Sequence, residues 1–216
     1  MEIEAKFIVP DRATFERLLQ IERLAGFVLS PALLKRMHDQ YLDTADGAFL
    51  RGGFACRMRV DGGGGCLVTL KALTPSQGLL HVRQELEVRL PQQDGLNVAR
   101  WPDCDATALA RQLSSGQPLE LLFDLQQERY QRLAFAGEKQ PPFAELSIDR
   151  VRFSAAIHSD LLGVEAELLP AGEILGLQAL ADELQQVWGL TPEPVSKFER
   201  GLALARPELA PLIYAR

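Results

Sequence analysis

Glu2, Glu4 and Lys6 stand at alternate positions, with Ile3, Ala5 and Phe7 between them. Successive side chains of a strand point to opposite faces, so the three charges share one face and the apolar residues the other. The arrangement recurs. Arg57 and Arg59 alternate with Cys56, Met58 and Val60, and Lys71 follows Leu70. Arg83, Glu85, Glu87 and Arg89 share a face, as do Glu145, Ser147 and Asp149, and Glu165 and Glu167 alternate with Val164, Ala166 and Leu168. A half-solvated antiparallel sheet accounts for alternation by itself. It does not account for the repeated like-charged pairs, because carboxylates two apart on a strand lie roughly 7 Å from each other and repel unless a cation or a basic side chain stands between them. A closed antiparallel barrel would gather these faces into one lumen and leave no open edge. There, Lys and Arg suit phosphate oxygens, and paired carboxylates suit a hard cation such as Mg²⁺ or Mn²⁺. His38, His81 and His158 are scattered, and no HxH, HExxH or cysteine cluster supports zinc chemistry.

The elements that must carry these faces read as mostly strands. Pro10-Asp11 starts a helix over Asp11 to Ala25, with Phe15, Leu18, Leu19 and Ile21 on its apolar face. Strands follow at His38 to Asp43, Ala55 to Val60, Cys66 to Ala72 and Val82 to Leu90. Asp61-Gly-Gly-Gly-Gly65 reads as a hairpin turn, since Lys71 stands too late to complete a phosphate loop. Pro91 to Asp105 is loop-like, and Ala106 to Leu113 and Leu119 to Leu125 read as short helices. Strands resume at Glu128 to Phe135, Ala144 to Asp149, Val151 to Ile157 and Gly163 to Leu169, and Ile174 to Trp188 has a helical apolar period. Ser196 reads as the N-cap of a last helix, Lys197 to Leu204, and not as a nucleophile.

Composition bounds the function. The chain of 216 residues is 47% hydrophobic, enough for one domain over 1–216, and no repeat or linker divides it. A net charge of -6, a pI near 5.2 and 7% aromatic residues speak against nucleic acid. Cys56, Cys66 and Cys104 form no CxxC pair, which fits reduced thiols and a cytoplasmic location. No apolar run is long enough to cross a bilayer.

With these residues in hand, Glu2-Ile-Glu-Ala-Lys6 resembles the ExExK signature of the CYTH domain, the triphosphate tunnel metalloenzymes. The companions follow in the family's order: His38-Asp-Gln-Tyr41-Leu-Asp43-Thr44, Arg57-Met-Arg59, Thr69-Leu-Lys71, Arg83-Gln-Glu85-Leu-Glu87, Arg129, Asp149, Glu165-Ala-Glu167, Ser196-Lys197 and Arg200-Gly201. Gly78-Leu-Leu-His81, Trp101-Pro102 and the run from Leu122 to Arg129 look most like the bacterial inorganic triphosphatase branch. The resemblance implies an α+β fold: a closed eight-stranded antiparallel tunnel with surrounding helices and a C-terminal helix.

It also implies roles. Lys6, Arg57, Arg59, Lys71, Arg129 and Lys197 would grip the phosphate chain, and Glu2, Glu4, Glu165 and Glu167 would hold Mg²⁺ or Mn²⁺. Glu2, through metal and water, and Lys197, at the leaving group, would be the catalytic residues. Glu85, Glu87 and Asp149 would support them, while Arg89 and Glu145 read as surface or salt-bridge residues. Tyr41 would pack at the tunnel wall and Asp43 would close a turn. The implied activity is hydrolysis of tripolyphosphate to pyrophosphate and phosphate, with a small-molecule triphosphate as partner and neither nucleic acid nor membrane. An adenylate cyclase, a thiamine or nucleoside triphosphatase, and a non-catalytic polyphosphate-binding module are the alternatives. Two departures stand out. Gln127 occupies a place where many relatives carry Lys, so that one phosphate contact is either missing or supplied by Arg132 or Lys197. Many relatives also continue into a helical CHAD domain, whereas this sequence stops at Arg216, as a stand-alone form or as a fragment.

Overall fold

The opening strand forms as its alternation predicts, β1 (Glu2–Ile8), in a computed structural model that describes residues 1–60, 65–74, 78–91, 94–137, 140–156 and 160–213. Residues 61–64 of the turn expected at Asp61–Gly65, the end of the strand expected at Val151–Ile157, and His158 lie outside the described residues. Helix α1 (Arg12–Gln20) starts where Asp11 accepts a 2.7 Å hydrogen bond from the Thr14 amide. It ends short of the expected Ala25. Ala25 and Gly26 both take positive φ, 51° and 79°, the pair a tight two-residue hairpin requires. They join β2 (Arg23–Leu24) to β3 (Phe27–Leu29).

Next come β4 (Leu33–Asp43), α2 (Ala48–Gly52), β5 (Phe54–Val60), β6 (Gly65–Ala72), β7 (Leu80–Arg83), β8 (Glu85–Pro91) and α3 (Asp105–Ser114). The second half holds β9 (Glu120–Phe135), β10 (Ala144–Phe153), β11 (Asp160–Leu168), α4 (Ile174–Gln186), β12 (Thr191–Pro192) and α5 (Lys197–Ala205). Two expectations are corrected here. Leu119 to Leu125 is not a helix but the start of β9, because Phe123 and Leu125 sit two apart on a buried face and pair with β4, where the Phe123 ring stacks on Tyr41 at 4.7 Å. The two strands expected on either side of Arg150 are a single strand, β10.

The strands form one antiparallel, barrel-like sheet. Among the described residues its continuous path runs β12-β1-β11-β10-β9-β4-β5-β6-β8, a curled sheet of nine strands rather than the expected closed ring of eight. The reason lies at Gln84. It separates β7, which pairs with β1, from β8, which pairs with β6, so one stretch of chain changes partner midway and no ladder joins β8 to β1.

Apolar faces point outward onto the helices. Ala5 and Phe7 of β1 and Val164 and Ala166 of β11 pack against Phe15 and Leu18 of α1 and Leu177, Leu180 and Leu184 of α4. Cys56, Val68 and Val88 pack under Ala106 and Ala110 of α3. Each fully buried Leu or Phe in such a layer contributes roughly 1.5–3 kcal/mol. A third cluster joins Tyr41, Phe123 and Phe198 and anchors α5, which opens with Ser196 and Glu199 capping each other. Gly201 is required there, because a Cβ would meet the Phe123 ring at 2.1 Å. No described helix is long and apolar enough to cross a membrane.

Asp43 closes the turn after β4. Buried to 1% exposure, it accepts from the amides of Thr44, Phe49 and Leu50 at 2.7–2.9 Å. Asp43→Ala strips three buried donors of their acceptor and is expected to cost on the order of 3 kcal/mol. Urea denaturation measures it, and a loss below about 1 kcal/mol would show that the turn holds without this carboxylate.

Candidate functional site

The inward faces enclose a cavity of about 290 Å³. Every residue expected to bind phosphate or metal lines it, namely Glu2, Glu4, Lys6, Arg57, Arg59, Lys71, Arg129, Glu165, Glu167 and Lys197, together with Glu85 and Glu87. Asp149 lies behind them and touches two of the cations. β1, β5, β6, β8, β9 and β11 present these side chains by simple alternation, and α5 adds Lys197 at its first residue.

Two acid-braced basic groups form one wall. Arg129 donates to both carboxylate oxygens of Asp149, at 2.9 and 2.7 Å, and to Glu165 at 2.6 Å. Lys197 Nζ donates to the same two carboxylates, at 2.9 and 2.7 Å. Burial alone would raise the Glu165 pKa, but Lys197 and Arg129 override it and hold the carboxyl well below its ordinary value. Glu165, expected at a metal, is thus engaged by cations. The second basic group is held by Asp39, a residue given no role from the sequence. Asp39 is fully buried and accepts from Arg59 Nε and Nη2 at 2.6 and 2.7 Å, with Arg57 4.0 Å away. Arg57 donates instead to Thr69 Oγ1 at 3.0 Å, and that hydroxyl donates to Glu87 at 3.1 Å.

The opposite wall is acidic. Lys71 bonds Glu2 and lies 3.6 Å from Glu4 and 3.3 Å from Glu85. Burial opposes its charge, yet the three carboxylates raise its pKa. Glu4, Glu167 and Glu145 stand abreast on β1, β11 and β10. Glu145, expected as a surface or salt-bridge residue, is half-buried and bonded by Gln131 and Ser147. Burial and the neighbouring carboxylates push Glu2 and Glu167 up to about 7. Lys6 meets Glu4 at 3.7 Å, and burial lowers its pKa.

Gln127 and Arg132 are elsewhere. The Gln127 side chain is buried away from the cavity lining. Arg132 points outward, donating to the carbonyls of Ser30, Leu19 and Ile21, so it cannot supply a contact inside. Its place two residues from Tyr130 on the outer face was readable from strand parity.

Among the described residues no group of three or more His, Cys, Asp and Glu side chains is already gathered as a metal cluster. The donor set nevertheless fits a hard divalent cation. Glu2, Glu4 and Glu167 offer only oxygens, crowd one another, and leave Glu4 Oε1 buried with no hydrogen bond and only the ammonium groups of Lys71 and Lys6 nearby.

The sequence model of the CYTH domain matches residues 1–202. Among solved structures the chain resembles a proposed adenylate cyclase from Bacillus halodurans (TM-score 0.63, 23% identity, 93% of this chain and 96% of that one). It resembles a proposed adenylyl cyclase from Hippeastrum with a dominant triphosphatase activity (TM-score 0.61, 19% identity, 93% and 95% covered). It also resembles a proposed adenylate cyclase from Vibrio parahaemolyticus (TM-score 0.51, 16% identity, 92% and 95% covered). At these identities the likeness speaks to the fold. No curated protein sequence matches the chain.

Proposed function

The chain belongs to the CYTH domain family, and on that premise we propose that it is a divalent-metal-dependent hydrolase of inorganic triphosphate, of the bacterial inorganic triphosphatase type. One observation carries the reading: a single small cavity brings together cationic side chains from five strands and a helix, facing a carboxylate wall that is short of counter-charge. Its volume, about 290 Å³, lies at the lower limit of ligand sites and favours a short, highly charged chain over a nucleotide.

Phosphoryl transfer needs positioning and electrostatic stabilisation more than a protein nucleophile. Arg57 offers its planar fork to phosphate oxygens while Arg59 is held beside it by Asp39, and Arg129 and Lys197 stand fixed by Asp149 and Glu165 to meet the charge that accumulates as the terminal bond breaks. Glu2, Glu4 and Glu167 would hold Mg²⁺ or Mn²⁺, which when bound neutralises phosphate oxygens and acidifies water. Lys71 then neutralises whichever of Glu2, Glu4 and Glu85 stays free. Lys197 neutralises the departing pyrophosphate.

The test is phosphate release from tripolyphosphate, ATP and thiamine triphosphate with Mg²⁺ or Mn²⁺ and with chelator. Rapid, chelator-sensitive release from tripolyphosphate is expected. Cyclic AMP from ATP would make the protein a cyclase, and tight binding without turnover would make it a binding module.

A further inference from the structure

All but one of the seven Lys and Arg side chains that line the cavity lie within 4.0 Å of a carboxylate. Lys6 faces Glu4, Lys71 faces Glu2, Glu4 and Glu85, Arg57 and Arg59 face Asp39, and Arg129 and Lys197 face Asp149 and Glu165. Arg83 is the exception among the described residues. It lines the cavity, is 4% exposed, and makes no ion pair. Its Nη2 meets His81 Nδ1 at 3.1 Å, and its Nε is buried without a hydrogen-bond partner.

A guanidinium has five donors in a rigid fork and keeps its charge at any working pH. Burying it without an anion is costly, and a fold that tolerates the cost holds a strong attraction for one. Strand pairing fixes where that anion would go. β7 lies against β1, with Arg83 opposite Glu2 and His81 opposite Glu4, so the unpaired cation stands on the acidic wall beside the carboxylates. The other Arg side chains of the cavity come from β5 and β9.

We propose that Arg83, steadied by His81, is a phosphate-binding residue that draws the phosphoryl group onto the carboxylate wall, beside Glu2 and Glu4. His81 suits the supporting role, because it is buried beside the guanidinium, which can only donate, so that Nδ1 accepts from Arg83 Nη2 at 3.1 Å. The inference rests on the proposed reading of the cavity as a triphosphate site and names a residue to which the sequence assigned no contact. Without Arg83, a phosphate approaching that wall would meet carboxylates with Lys71 and Lys6 already committed to them.

The experiment compares wild type, Arg83→Met and Arg83→Lys. Tripolyphosphate is titrated calorimetrically into the metal-free proteins, KM and kcat are measured with Mg²⁺, and melting temperature is recorded without ligand. Arg83→Met is expected to weaken tripolyphosphate binding roughly ten- to hundred-fold, with KM rising in step, while Arg83→Lys recovers much of the affinity. Ligand-free Arg83→Met should melt at or above the wild-type temperature, because an unpaired buried charge has been removed. A merely structural arginine would lower it. Binding by Arg83→Met within about twofold of wild type, or a ligand-free melting temperature clearly below it, overturns the assignment. If wild-type protein neither binds nor hydrolyses tripolyphosphate, the reading of the cavity falls instead.

Discussion

Arg57→Ala is expected to lower kcat/KM for tripolyphosphate by about 10²- to 10³-fold while the protein melts near its wild-type temperature. Arg59→Ala is expected to behave differently, although the two residues stand two apart on one face of β5. Arg59 has committed both ends of its fork to Asp39. Arg57 reaches Asp39 only at 4.0 Å, gives one nitrogen to the neutral Thr69 hydroxyl, and keeps its Nε buried without a partner. More of the Arg57 fork is therefore left for substrate, and a donor aimed at developing phosphate charge is worth more in a closed site than in water. Removing Arg59 leaves the fully buried Asp39 without a hydrogen-bonded cation, balanced only by Arg57 at 4.0 Å and by Lys197 beyond it, a loss of roughly 3–5 kcal/mol for a broken buried pair. Steady-state kinetics and thermal unfolding on both variants separate the two roles. Equal kinetic loss with equal stability loss would show that the pair acts as one unit and that Asp39 does not divide it.

That division was invisible in the sequence, for a physical reason. Alternation tells which residues share a face, and it placed Glu2, Glu4, Lys6, Arg57, Arg59, Lys71, Arg129, Glu165 and Glu167 on the faces that converge. It does not tell which strand lies opposite. Asp39 meets Arg59 because β4 pairs with β5 in that register, and Asp149 meets Arg129 because β10 pairs with β9. Glu165 shows the consequence. Its neighbour on the strand, Glu167, faces other carboxylates, while Glu165 falls between Arg129 and Lys197, the latter from α5, far along the chain. The misread helix at Leu119 to Leu125 has the same origin. Seven residues with apolar positions at mixed spacing satisfy either period until the partner strand β4 selects one. Ring closure also lay beyond the pattern, since the single exposed residue Gln84, standing between Val82 and Leu86 on one face, keeps the alternation intact and yet is where the chain changes partners. By contrast, the Ser196 cap was legible, because the capping box is written within four consecutive residues, Ser196 to Glu199.

The acidic wall should announce itself in the pH dependence of stability. In the folded protein Glu2 and Glu167 titrate at about 7 instead of 4.5, first through burial and then through repulsion, from Glu4 at Glu2 and from Glu2, Glu145 and Glu4 at Glu167. Between those values the folded chain holds protons that the unfolded chain has released. Stability without metal therefore falls as pH rises from about 4.5 to about 7, and levels off above. A divalent cation must compete with those protons, so its binding strengthens over the same interval. The rise in melting temperature caused by Mg²⁺ is thus expected to be small near about pH 6 and large near about pH 8. Glu167→Gln removes one repelling charge and one oxygen ligand together. It should stabilise the metal-free protein at about pH 8, abolish most of the Mg²⁺-induced rise there, and cut metal-dependent turnover by about 10²-fold or more. Glu4→Gln should lose the Mg²⁺ effect in the same way, while both variants still bind tripolyphosphate through the basic wall. A Mg²⁺ effect that does not change with pH, or that survives both substitutions, would place the cation away from Glu4 and Glu167 and leave the Glu4 charge to Lys71 and Lys6.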